Sequence, residues 1–112
     1  MANNKEVAAY VMEQLSGLDG VRHIPMMGGY LFYYQNRIFG GIYGGGYLMV
    51  KNTPASRSAM PDSVPEPPYE GAKAMLPVTV LEDREKLQAM VVAMYPELPE
   101  PKEKKPRKTK KS

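Results

Sequence analysis

Three short runs of aromatic and β-branched residues, separated only by turn formers, occupy residues 28–51 and restrict the fold more than any other feature of the chain. Residues 30–34, 37–43 and 47–51 have the composition of strands. Gln35-Asn36 predicts a two-residue corner, since Asn accepts positive φ at little cost. Gly44-Gly45-Gly46 predicts a second corner with free choice of backbone sign. Connections this short force antiparallel neighbours, so the product is a β-meander. Segments of helical period on either side must then cover one face of it.

Upstream, Val7, Ala8, Val11, Met12 and Leu15 form one apolar stripe, which predicts a helix over 4–16. Asn3 is its expected N-cap, with Glu6 reaching back, and Gly17 its stop. Residues 21–26 are expected to form a first strand, at an edge because of Pro25. Downstream, Thr53-Pro54 predicts a short helix to Met60, with Thr as N-cap and Pro in the first turn. Pro61, Pro65, Pro67 and Pro68 make 61–68 an extended connector. A turn over 69–73 and a strand over 74–80 follow, the latter again marked as an edge by Pro77. Glu82, Asp83 and Glu85 open a last helix, where carboxylates meet the positive end of its dipole. Leu87, Met90, Val91 and Met94 are its apolar stripe, and Pro96 ends it at Tyr95. The order α-β-β-β-β-α-β-α predicts a two-layer α+β domain over 1–99.

Beyond it, 100–112 contains no large apolar residue and is expected to be a disordered basic tail. The formal charge of +3 is misleading until it is located. From Lys102 to Ser112, Lys102, Lys104, Lys105, Arg107, Lys108, Lys110 and Lys111 stand against the single Glu103, leaving eight cations and eleven acids in residues 1–101. The folded part is mildly acidic, and all the basicity lies in the tail. The tail acts either as a solubilising extension or as a non-specific, weak nucleic-acid contact. In the second case log affinity would fall against log salt with a slope of about −6. The absence of cysteine excludes disulfides, thiol catalysis and cysteine-based zinc sites, and suits a cytoplasmic protein. Neither a membrane span nor a secretory leader is apparent.

The residues offer little for catalysis. Glycines within or between strands, with no Gly-Lys-Ser/Thr following, do not make a phosphate cradle. His23 is the only histidine and has no companion ligand or orienting group in sequence. Ser56 and Ser58 flank Arg57 without a nucleophile motif. The acids at 82, 83 and 85 are explained by a helix start. We therefore expect no enzyme activity, no catalytic residues, no cofactor and no metal. Tyr30, Phe32 and Tyr34 are expected on one strand face, packed on a helix or a second subunit; aromatic strands that stack on RNA are the competing reading. Nine methionines suit either a core or an adaptable partner surface.

Met27-Gly28-Gly29-Tyr30, then Tyr33-Tyr34-Gln35-Asn36-Arg37-Ile38-Phe39 and Gly46-Tyr47-Leu48-Met49-Val50-Lys51, resemble the N-terminal domain of the TfoX/Sxy competence-regulator family. Pro67-Pro68-Tyr69-Glu70-Gly71-Ala72-Lys73, Asp83-Arg84-Glu85 with Leu87, and Leu98-Pro99-Glu100-Pro101-Lys102 resemble its short stand-alone members. Six stretches in order carry the resemblance, over residues 4 to about 108. It implies a secretion-chaperone-like α+β fold, frequent self-association, a link to the regulation of DNA-uptake genes, and no established catalytic residues. The expected function is a non-enzymatic interaction module with a protein partner or a second copy of itself, a homodimer. The candidate contact residues are Lys51 and Thr53 at a strand end, with Tyr69, Gly71 and Lys73 in a proline-stiffened turn. The alternative is a non-specific nucleic-acid binder acting through the tail.

Overall fold

A computed structural model of the protein describes residues 4–26, 28–43 and 46–98. Within them, α1 (Asn4–Gln14) precedes β1 (Val21–Met26), β2 (Gly29–Tyr34), β3 (Arg37–Ile42) and β4 (Leu48–Val50). Then come α2 (Pro54–Ala59), β5 (Leu76–Pro77), α3 (Arg84–Met94) and a 3-10 turn, Tyr95–Glu97. The fold is α+β, with an antiparallel sheet in the order β1-β2-β3-β4-β5. The two edge strands are those that contain proline, Pro25 and Pro77, because a residue without an N–H is tolerated where no further strand must pair.

Gln35 and Asn36 both adopt positive φ, 52° and 70°, which is the mirror-image turn that matches strand twist. A bulge interrupts the β2–β3 ladder: Phe32 pairs with Gly40 and Tyr33 with Ile38, leaving Phe39 as the extra residue. Phe39 and Gly40 therefore both face inward. Gly40 is required there, since a Cβ would lie 2.1 Å from the Met49 carbonyl oxygen.

The core is built on one face. Phe32, Phe39, Ile42, Leu48, Val50 and Leu76 meet Ala8 and Val11 of α1, Leu15 just after it, and Leu87, Met90, Val91 and Met94 of α3. Tyr30 and Tyr34 pack against the same core, and Tyr34 meets Tyr95 edge-on at 5.6 Å. The expected shared face of Tyr30, Phe32 and Tyr34 is thus a helix-packing face. Arg37 closes that end, its guanidinium 4.4 Å from the Tyr95 ring centre and donating to the Tyr95 and Leu98 carbonyls.

Some boundaries differ from expectation. The 74–80 strand shrinks to Leu76–Pro77, preceded by a bridge between Glu66 and Met75. Pro77 cannot donate; Val78 N–H still reaches the Leu48 carbonyl at 3.0 Å, but Thr79 N–H already turns to the Met60 sulfur. The last helix starts at Arg84 with Asp83 as N-cap, so Glu82 lies outside its first turn. Its end is the expected one, with Met94 as the last helical residue and Tyr95 as C-cap, and Pro96 fits the first turn of the 3-10 segment that follows. The expected Asn3 cap and the tail at 100–112 lie outside the described residues.

Candidate functional site

Strand alternation fixes what the other face of the sheet carries. Arg22 pairs with Tyr33, and Tyr33 with Ile38; Ile24 pairs with Leu31, Leu31 with Gly41, Gly41 with Met49, and Met49 with Pro77. The outward side therefore presents two transverse rows. The first reads Arg22, Tyr33 and Ile38. The second reads Ile24, Leu31, Gly41, Met49 and Pro77. None of these residues belongs to the helix-covered core. Ile24 is 37 % exposed, and Leu31, Tyr33 and Ile38 are half-buried.

A solvated antiparallel sheet face is ordinarily polar, giving apolar-in, polar-out alternation. Here both sides are apolar. No Asp or Glu occurs in any of the five strands. Arg22 is the cation of the paired rows, and at one corner Glu66, bridged to Met75, brings a carboxylate to the Tyr47 hydroxyl. The Arg22 guanidinium lies 4.2 Å from the centre of the Tyr33 ring, a cation–π contact that holds both side chains across the β1–β2 pair.

One corner of the face is roofed. The Pro-Pro-Tyr turn brings Tyr69 against Tyr43, ring centres 6.0 Å apart. The Tyr43 ring can lie on the sheet because position 41 is glycine: a Cβ there would sit 3.1 Å from the ring. Burial, then the nearby Tyr69, raise the Tyr43 phenol above its ordinary pKa. Met49, outward by register, is only 2 % exposed at this corner. The turn is anchored where Tyr47 donates its hydroxyl to the Glu66 carboxylate, a bond that also raises the Tyr47 pKa.

The expected contact residues separate. Tyr69 (61 % exposed), Gly71 and Lys73 lie together in the turn, closed by Ala72 N–H donating to the Tyr69 carbonyl with Gly71 at φ +87°. Lys51 follows β4, its N–H donating to the Phe39 carbonyl at 2.9 Å. Thr53 is buried, and its hydroxyl accepts from Ser56 N–H at 3.1 Å while the Ser56 hydroxyl accepts from Thr53 N–H at 2.9 Å. This reciprocal cap starts α2 and withdraws Thr53 from any surface. The tail candidates Lys102, Lys104, Lys105, Arg107, Lys108, Lys110 and Lys111 lie outside the described residues. Sequence reading missed Arg22, Ile24, Leu31, Tyr33 and Ile38; the signal was their alternation with Phe32 and His23, hidden by the bulge at Phe39.

Other chemically suggestive residues have local duties. His23 stacks on Phe32 with centres 5.3 Å apart, at the margin of the core. The Ser56 hydroxyl donates to the Lys51 and Thr53 carbonyls, and the Asp83 carboxylate caps α3 by accepting from Lys86 N–H. A depression of about 950 Å³ is lined by the continuous segment 78–86, so it gathers no groups from separate elements. Among the described residues no three potential metal ligands cluster, and no helix is long and apolar enough to cross a membrane. No protein-family model, curated protein or solved structure significantly matches the chain.

Proposed function

We propose that this chain is a binding module with no chemistry of its own, which attaches to a protein partner through the outward face of its sheet. The observation that carries this reading is the apolar outward row of Ile24, Leu31, Tyr33 and Ile38, at positions where a solvated sheet has polar side chains. The resemblance to the TfoX/Sxy N-terminal domain points the same way, toward a regulatory assembly in which a second copy of the chain is one form of partner. Lys51, Tyr69 and Lys73 contribute from the rim of this face, whereas Thr53 serves only to start α2.

The test is capture from native cell extract by the immobilised chain. Three forms are compared: the unaltered chain, a Leu31→Glu/Ile38→Glu double variant checked for folding, and a chain lacking 102–112. Capture that disappears in the double variant and survives the truncation is the expected result. Capture lost on truncation but indifferent to Leu31 and Ile38 would replace this reading with the tail-driven nucleic-acid binder.

A further inference from the structure

We infer that a site apart from the contact face takes a small organic cation with an alkylated ammonium head, in the cavity between α1 and the residues leading into β4. Three parts of the chain build it. Glu6, Val7 and Tyr10 come from α1, Tyr47 stands just before β4, and Val78 and Leu81 follow β5. Glu6 and Tyr10 are about one helical turn apart and so neighbours on the surface of α1. The cavity measures about 340 Å³, at the small end of ligand pockets and roomy enough for a choline-sized molecule.

The class of ligand follows from what this lining can and cannot do. Val7, Val78 and Leu81 are half-buried against the core and form an apolar wall without hydrogen bonds to give. Tyr10 and Tyr47 are 40 % and 41 % exposed, so both rings keep free surface. The Tyr47 hydroxyl is already committed, donating to the Glu66 carboxylate. It has no proton left for the carbonyl or carboxylate of a ligand, and the same donation enriches its ring in electrons. Among the described residues, Glu6 is the one formally charged member of the lining, and its charge is negative. An anion is therefore repelled. A primary ammonium would leave N–H groups unpaired against the apolar wall. An ammonium whose protons are replaced by methyl groups has no such need: the methyl groups pack on Val7 and Leu81, and the charge is drawn to the tyrosine rings and Glu6.

The probes are choline and its neutral isostere dimethylbutanol, in which carbon replaces the nitrogen. Each is titrated into the full chain and followed by the NMR shifts of the tyrosine rings. Choline should bind at least about tenfold tighter than the isostere, since only the charge differs. Tyr10→Phe should preserve that gap. Tyr10→Leu should bring choline down to the affinity of the isostere while the isostere itself still binds, an outcome that loss of folding cannot imitate. Glu6→Gln should narrow the gap without closing it. Equal affinities in the unaltered chain would overturn the inference. So would absence of choline binding at millimolar concentration, or a gap that survives both Tyr10→Leu and Glu6→Gln. A trimethyl-lysine amide separates the two sources of this chemistry: binding tighter than choline points to a methylated side chain, and weaker binding to a free choline-like molecule. Extract capture through Leu31 and Ile38 is read separately, so either site can fail without the other.

Discussion

Leu31 and Phe32 are adjacent in β2, similarly apolar, and face opposite ways. Phe32 is fully buried between the sheet and two helices; Leu31 points to a face on which no helix lies. On the inner side every large apolar side chain has its complement in α1, α3 or the strands beside it. On the outer side the same residue types recur without such cover, and only the corner at Tyr43 and Tyr69 is roofed. Two sheet faces with the same apolar habit but unequal covering teach that residue type does not decide which side of this sheet is the core. Helix placement does, and what remains is the face proposed above as the contact surface.

The comparison breaks most readily at that pair of neighbours. Phe32→Ala should cost about 3–5 kcal/mol in urea-induced unfolding, from lost transfer energy and the cavity left behind. Leu31→Ala should cost less, about 1–2 kcal/mol in the isolated chain, because its half-buried side chain already keeps part of its area in water. Comparable losses at both positions would mean that the outer face is already covered in the isolated protein.

A smaller effect sharpens the boundary between contact residues and scaffold. Thr53→Ala removes the hydroxyl that accepts from Ser56 N–H and should lower stability by about 1–2 kcal/mol. Partner capture should persist once unfolding is accounted for. Selective loss of capture in a fully folded Thr53→Ala protein would return Thr53 to the contact surface.

The smallest expected signal is spectroscopic. Tyr43 and Tyr47 should ionise above the ordinary tyrosine value of about 10, the first because it is partly buried, the second because its proton is held by Glu66. Since the neutral phenol is the favoured form in the folded chain, these contacts are fully present below that ordinary value. They are lost as pH rises through the raised folded values. Ultraviolet absorbance titration should show late tyrosine transitions that Tyr43→Phe and Tyr47→Phe remove one at a time. Titration of both at the ordinary value would contradict the roofed corner.

Much of this architecture is legible in the chain because its local signals agree with one another. The Gln35-Asn36 corner, the Thr53-Pro54 start, the prolines at the two edges and the helical stripes at Val11 and Met90 each specify an element without help from distant contacts. The length of β5 was not legible, since the ladder continues through Val78 to the Leu48 carbonyl and ends where Thr79 N–H turns to the Met60 sulfur, partners distant in sequence. The outward face was hidden for a similar reason. A strict two-residue period through Ile38, Phe39 and Gly40 cannot show that two consecutive residues turn inward, because the bulge is set by pairing with β2. Of the candidate contacts, the Tyr69, Gly71 and Lys73 turn could be read from its prolines and glycine. Arg22 and Tyr33 became a unit only once β1 and β2 were in register.

Photo-crosslinking in intact cells tests the surface most directly. A benzophenone amino acid is placed at position 31 on the outward face, or at position 92, where Val92 is exposed on α3. Discrete adducts from position 31 and none from position 92 are the predicted result. Adducts from 92 alone would contradict the account, and so would an adduct-free position 31 in folded, abundant protein.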